Sequence, residues 1–295
     1  ILFYRLGDFY EMFFEDAELV SKELELTLTG KNCGMEERAP MCGIPYHAVE
    51  GYLNKLVANG HKVAICEQVE DPKLAKGLVR REVIRIVTPG TNLDMQALDE
   101  SKNNYIMCIV YLADRYGVSI ADVSTGDYYV TEVDSERKLF DEITKFSPSE
   151  IICNESFYMS GVDIEDLRHR LKITIYALET WYFGDELAET TLLTHFKVKS
   201  LEALGLADYD CGMIAAGALL KYLYETQKND LNNISVIHPY STGKYMIIDS
   251  STRRNLELVE TLREKQKRGS LLWVLDKTKT AMGARLLRLC GTAAD

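Results

Sequence analysis

At 295 residues the chain is long for one hydrophobic core, so two or three domains are the starting expectation. Apolar residues at 46% and charged residues at 27% fit a packed soluble chain rather than a disordered one, and no apolar run is long enough to cross a bilayer. The net charge of −11 argues against a general nucleic-acid binder, but it is unevenly spread: residues 1–88 hold 11 basic against 14 acidic side chains, residues 244–295 hold 11 against 6, and the middle carries the acidic excess. If DNA is bound, the middle should stand away from it and the tail should lie close.

In chain order, Ile1–Leu6 reads as a strand, Gly7-Asp8 as a turn, and Phe9–Phe14 as a second strand. Asp16–Leu24 has helical spacing, with Ala17, Val20 and Leu24 on one face. Leu26–Thr29 is short and β-prone, and Lys31–Ala39 is polar and loop-like. Ile44-Pro45-Tyr46 leads into a helix over His47–Asn59, closed by Gly60. Lys62–Gln68 and Glu82–Thr88 are strands, Pro89-Gly90 is a turn, and Thr91–Asn104 is a polar linker. This is one α/β unit.

A second unit opens with three β-branched-rich runs, Tyr105–Ala113, Gly117–Ser124 and Tyr128–Val133, joined by hairpin-type connections at Asp114–Tyr116 and Thr125–Asp127. A helix over Ser135–Phe146 follows, with Ser135 as N-cap, then a strand at Glu150–Cys153, a helix at Ile164–Leu171, a strand at Ile173–Tyr176 and a long helix over Cys211–Lys228. Three antiparallel strands followed by alternating helices and strands is the order of a ribonuclease-H-like fold. From about Tyr245 the pattern turns helical: Ser250–Lys267, broken by Gly269, then Leu271–Leu275 and Ala281–Cys290. That stretch is too short to close a core alone, and it reads as the opening of a larger helical domain.

Seven cysteines stand singly, with no C-x-x-C pair, which suits reduced thiols in a cytoplasmic protein. Five dispersed histidines make a metal site unpromising. The chain opens inside an apolar run without an initiator methionine, so a preceding segment is expected.

Several stretches, in order, carry a resemblance. They are Leu2–Glu11 (LFYRLGDFYE), Gly43–Val49 (GIPYHAV), Val63–Gln68 (VAICEQ), Arg85–Thr91 (RIVTPGT), Asp249–Glu257 (DSSTRRNLE) and Met282–Leu287 (MGARLL). Together they resemble the bacterial MutS family of DNA mismatch-recognition proteins over nearly the whole chain. After Leu289 the sequence departs from the family's pattern, as at a chain end. The resemblance implies a multidomain α/β chain: a mixed-sheet mismatch-recognition domain over 1–90, a linker over 91–104, a ribonuclease-H-like connector domain over 105–243, and the beginning of an all-α core or lever domain over 244–295. The family's ATPase domain lies beyond residue 295, and no GxxxxGK[ST] phosphate loop occurs here. No cofactor is therefore expected in this stretch, whereas ATP and Mg²⁺ are expected for the protein at full length. Implied partners are mismatched duplex DNA, a MutL-type protein reached through the connector, and a second copy of the full-length chain.

By residue-to-residue match, the resemblance makes Phe9 the ring that enters from the minor groove and stacks on a mispaired base, and Glu11 the side chain that hydrogen-bonds to that base. A bare Phe-x-Glu is ordinarily a core strand with one solvated carboxylate; the ordered set of matches reverses that reading. Strand alternation agrees, because residues 9 and 11 point the same way and Tyr10 the other. Glu11 is expected to accept from a base N–H or to take up a proton on mismatch binding. Arg81, ahead of Arg80 and Arg85, is the candidate phosphate contact, against the plainer reading of a solvated strand face. Pro40 and Met41 are implied to approach the same minor-groove site from a loop. His47, at a helix start with no nucleophile near it, reads as packing.

An alternative of another class is a metal-dependent ribonuclease-H-like nuclease centred on Asp122, with Asp127 nearby. Such chemistry needs clustered carboxylates, and the first strand of that unit supplies none. A protein-interaction scaffold that never touches DNA is a third reading.

Overall fold

The structure, a computed structural model, describes residues 1–70, 77–94, 101–242, 248 and 250–292. The chain divides into two compact units, Ile1–Ala97 with Leu223–Leu231, and Leu98–Tyr222 with Asn232–Asp295.

The first unit is built on β1 (Leu2–Leu6), β2 (Phe9–Phe13), α1 (Phe14–Glu23), β3 (Thr29–Lys31), β4 (Ala39–Pro45), α2 (Val49–Ala58), β5 (Val63–Gln68) and β6 (Arg81–Val87). The six strands form one sheet in the order β3-β4-β2-β1-β5-β6, antiparallel except where β1 runs parallel to β5. Gly7 opens the two-residue turn between β1 and β2 with φ +60, a conformation glycine adopts without a Cβ penalty. Alternation then sorts the side chains. Phe3, Tyr10, Met12, Cys42, Ile44, Val63 and Ile65 point to one face and pack with Ala17, Val20 and Leu24 of α1 and Leu53, Leu56 and Val57 of α2. Both helices therefore cover the same side of the sheet. Phe3, Met12, Ile44, Leu53 and Leu56 are fully buried, each contributing about 1.5–3 kcal/mol of apolar burial.

The sequence reading missed one pairing here. The polar segment expected as a loop over Lys31–Ala39 is flanked by strands, and Pro40 and Met41 lie on β4, not on a loop. β3 begins at Thr29, the last residue of the β-prone run Leu26–Thr29, and extends past it to Lys31. A three-residue strand and a partner containing Pro40, Gly43 and Pro45 give no alternation to read, and the pairing is held by register across a connection instead. The helix expected from His47 begins as a 3-10 turn, Tyr46–Ala48, before α2. Of the linker expected over 91–104, Thr91 and Asn92 are buried, Asn92 donating to Asn54 at 3.0 Å, and residues 95–100 lie outside the described residues.

The second unit continues with β7 (Ile106–Leu112), β8 (Arg115–Asp122), β9 (Asp127–Val133), α3 (Glu136–Phe146), β10 (Glu150–Cys153), α4 (Ile164–His169), β11 (Thr174–Ala177), α5 (Asp185–Phe196), α6 (Asp210–Gln227) and β12 (His238–Pro239). Its sheet runs β11-β10-β7-β8-β9-β12, with β7, β8 and β9 antiparallel and β10 and β11 parallel to β7. This is the ribonuclease-H-like order the sequence pointed to. The β7–β8 turn falls at Ala113-Asp114, both at positive φ, so β8 starts at Arg115, earlier than expected. Ser135 stands at the N-cap position of α3 without a side-chain capping bond. Gly217 inside α6 has a packing cause: a Cβ there would fall 2.3 Å from the Cα of Ala188 on α5.

Three further helices follow: α7 (Ser250–Asn255), α8 (Leu271–Leu275) and α9 (Ala281–Thr292). The long helix expected over Ser250–Lys267 is not formed. Glu257 and Lys265 adopt left-handed φ, and Leu256 and Leu262 remain exposed. Periodicity without a buried face does not hold a helix. α9 runs to Thr292, two residues past the expected end at Cys290. The expected start of this stretch near Tyr245 lies outside the described residues.

Candidate nucleic-acid interface

The face of the first sheet that the helices leave uncovered is set by register alone. Cross-strand partners share a face, and Gly43, Glu11, Tyr4, Cys66 and Val83 follow one another across β4, β2, β1, β5 and β6. One step of two along the strands adds Phe9, Pro45, Leu6, Gln68 and Arg81 to the same face, and a step the other way adds Phe13 and Met41.

Phe9 is 47% exposed at the end of the β1–β2 hairpin, which is unusual for a phenylalanine in a strand. Glu11, two residues on, is only 14% exposed at its side chain and takes a hydrogen bond and ion pair from Lys31 Nζ at 2.5 Å. Tyr10, between them, points into the core. Its hydroxyl donates to Glu67 Oε2 at 2.5 Å, and burial together with that neighbouring carboxylate pushes its pKa up to about 12. Arg5 stands beside the same carboxylate at 3.5 Å and 3.9 Å from the centre of the Tyr46 ring. The hairpin is thus clamped from beneath while its upper side is open.

Arg81 lies on the open face, its guanidinium 5.3 Å from the centre of the Tyr4 ring. Two of its donors are engaged, Nε with the Arg5 carbonyl and Nη1 with the Val79 carbonyl, both at 2.7 Å. Those bonds fix where its charge sits. Arg80 pairs with Glu82, and Arg85 reaches Glu50 of α2 at 3.8 Å, on the side of the sheet that the helices cover. Met41 sits opposite Phe13 and Thr29, on the open face, whereas Pro40 opposes Gly30 and has the other parity. His47 packs edge-on against Tyr46. Lys31 is the one member of this group that sequence reasoning passed over, because it is brought to Glu11 by the β3–β4 pairing.

Asp122, the centre of the nuclease alternative, is fully buried. It accepts from Asn103 Nδ2 at 2.8 Å, Asn104 N at 3.1 Å, Ser124 N at 2.8 Å and Ser124 Oγ at 2.6 Å. Asp127 accepts from Thr125 Oγ1 at 2.7 Å. Both carboxylates are spent organising the β8–β9 turn, and among the described residues no cluster of three or more His, Cys, Asp or Glu is placed to hold a metal ion. Nothing in this geometry favours cleavage chemistry at Asp122.

Comparison with known proteins identifies the family. The family descriptions MutS domain I, MutS domain II and MutS domain III match residues 1–96, 104–235 and 251–289. A DNA mismatch repair protein MutS of Lachnoclostridium phytofermentans is 68% identical over 288 residues, covering 98% of this chain and 31% of the relative. Proteins of the same name from Ruminiclostridium cellulolyticum and Acetivibrio thermocellus are each 52% identical over 291 residues, covering 98% of this chain and 33% of the relative. The chain spans about a third of the length of these relatives, and with three successive MutS domains matched in order it belongs to the MutS family.

Proposed function

We propose that this chain is the sensing part of a DNA mismatch repair protein, and that it binds duplex DNA by inserting Phe9 from the minor groove at a mispaired or unpaired base, with Glu11 hydrogen-bonding to that base. The observation that carries this reading is the half-exposed Phe9 ring beside Glu11 on the uncovered face of the sheet, with the charge of Arg81 on that same face.

The chemistry is mechanical. An apolar wedge between base steps costs on the order of a few kcal/mol of unstacking. A mispair has already lost stacking and stiffness, so the kink costs less there. Every base offers a face to a ring, at about 1–3 kcal/mol per contact, so the device is indifferent to sequence. Arg81 supplies a phosphate contact, and Met41 on β4 approaches the same groove, whereas Pro40, of the other parity, faces away from it. The acidic middle of the chain serves protein contacts, with a MutL-type partner. At full length the protein acts in the cytoplasm as a dimeric ATPase using ATP and Mg²⁺; this chain offers no phosphate loop for the nucleotide and contributes binding rather than catalysis.

The test is equilibrium binding of the full-length protein to a duplex with one mispair and to its matched counterpart. Phe9→Ala lowers affinity for the mispaired duplex about 5- to 150-fold, the equivalent of one stacked ring, and leaves matched binding nearly unchanged. Glu11→Gln keeps or tightens binding to both duplexes and erodes the preference. Equal losses on both duplexes in Phe9→Ala overturn the reading.

A further inference from the structure

Lys31 ends β3, the strand at one edge of the first sheet, and is separated from β2 by β4. Its ammonium nevertheless reaches Glu11 at 2.5 Å and lies 5.8 Å from the centre of the Phe13 ring. The β4 residue opposite Glu11 is Gly43, so no side chain of the intervening strand stands there; a Cβ would sit 3.6 Å from Glu11 Cγ and 3.9 Å from Phe9 Cδ1. The two partners are unequal. Glu11 is largely covered at 14% exposure, and Lys31 is open to solvent at 38%. The fixed member of the pair is the carboxylate, and the member able to swing away is the amine on its long stem.

We propose that Lys31 is a specificity-determining residue for mismatch sensing: it neutralises Glu11 in the free protein and on matched duplex, and leaves Glu11 for a backbone phosphate only where a mispaired base can take the carboxylate's free oxygen. This rests on the reading of Phe9 and Glu11 as the sensing pair. Without a counter-ion, a carboxylate this close to a phosphate backbone repels every duplex alike. With Lys31 on it, the repulsion is silenced until a base offers a hydrogen bond in exchange. A partly exposed ion pair is weak enough to be given up reversibly, and a lysine has three donors with which to meet a phosphate. The exchange turns one fixed acidic group into a conditional one.

Equilibrium binding across a salt series, on the full-length protein and with the same two duplexes, tests the exchange. Lys31→Gln weakens binding to both duplexes, but matched binding more, so the mismatch preference rises several-fold. The slope of log affinity against log salt on mispaired DNA falls by about one, the signature of one lost phosphate contact. Lys31→Arg restores both. In a Glu11→Gln background, Lys31→Gln still lowers the salt slope but no longer moves the preference, because the group it guarded is gone. If Phe9→Ala abolishes the preference while Lys31→Gln leaves preference and slope unchanged, the exchange is wrong and the sensing pair stands. If Phe9→Ala leaves the preference intact, both fall together.

Discussion

Each of the two sheets carries an acidic residue that the sequence singled out, and the two are held in opposite ways. Asp122 is fully buried in the second unit, its oxygens taken up by two asparagines, a serine hydroxyl and the backbone of its own turn. Glu11, in the first, has Lys31 as its one side-chain partner among the described residues, and that lysine sits on an edge strand and reaches it across β4. A carboxylate surrounded by fixed donors is architecture, because removing it strands every donor around it. A carboxylate held by one swinging cation beside an exposed ring is available for exchange. The number and rigidity of the donors separate structure from recognition here, and the burial of the group by itself does not.

That contrast can be broken by mutation. The largest effect is expected at Asp122→Ala, which removes the acceptor of three donors in the β8–β9 turn and of the Asn104 backbone, and costs about 3 kcal/mol or more. Thermal unfolding followed by circular dichroism should drop by about 6 °C or more, and an unchanged midpoint would erase the distinction drawn here. Tyr10 comes next, on the clamped underside of the sensing hairpin. Its pKa is raised above the ordinary tyrosine value to about 12, so the neutral hydroxyl's contribution is complete below about pH 10 and is lost as the pH climbs towards 12. Denaturant midpoints measured across that window should fall less steeply in Tyr10→Phe than in the parent, a difference of up to about 2 kcal/mol, with the remaining slope owed to the other buried tyrosines and cysteines whose pKa values are also raised. At neutral pH the same variant should cost about 1 kcal/mol for the lost bond to Glu67. The smallest effect is expected at Glu11→Ala and Phe9→Ala, each within about 0.5 kcal/mol of the parent in stability. Their consequences are read in DNA binding; a large loss of stability in Phe9→Ala would mean that the ring belongs to the core.

Much of this was legible in the amino-acid sequence. Alternation over residues 9–13 put Phe9 and Glu11 on one side and Tyr10 on the other because a two-residue turn opened by Gly7 fixes the register of the hairpin. The three-strand start of the second unit was legible for the same reason, since tight turns leave little freedom in pairing. What stayed hidden was whatever depended on distant segments meeting. β3 is too short to show a period, and β4 is interrupted by Pro40, Gly43 and Pro45, so neither the pair nor the meeting of Lys31 with Glu11 could be read off. The donors that saturate Asp122 include Asn103 and Asn104, which looked like linker. The helix read over Ser250–Lys267 failed because an apolar stripe predicts a helix only when something covers it.

A sheet edge is a row of unpaired backbone groups, and β3 presents one with only three residues, the last of them a lysine. A short strand ending in a positive charge is a poor template for the strand of another chain. The side chain that guards the carboxylate thus also discourages neighbouring molecules from zippering onto this border of the sheet. Replacing it with a neutral, β-branched residue would be expected to add a tendency to self-associate at high concentration.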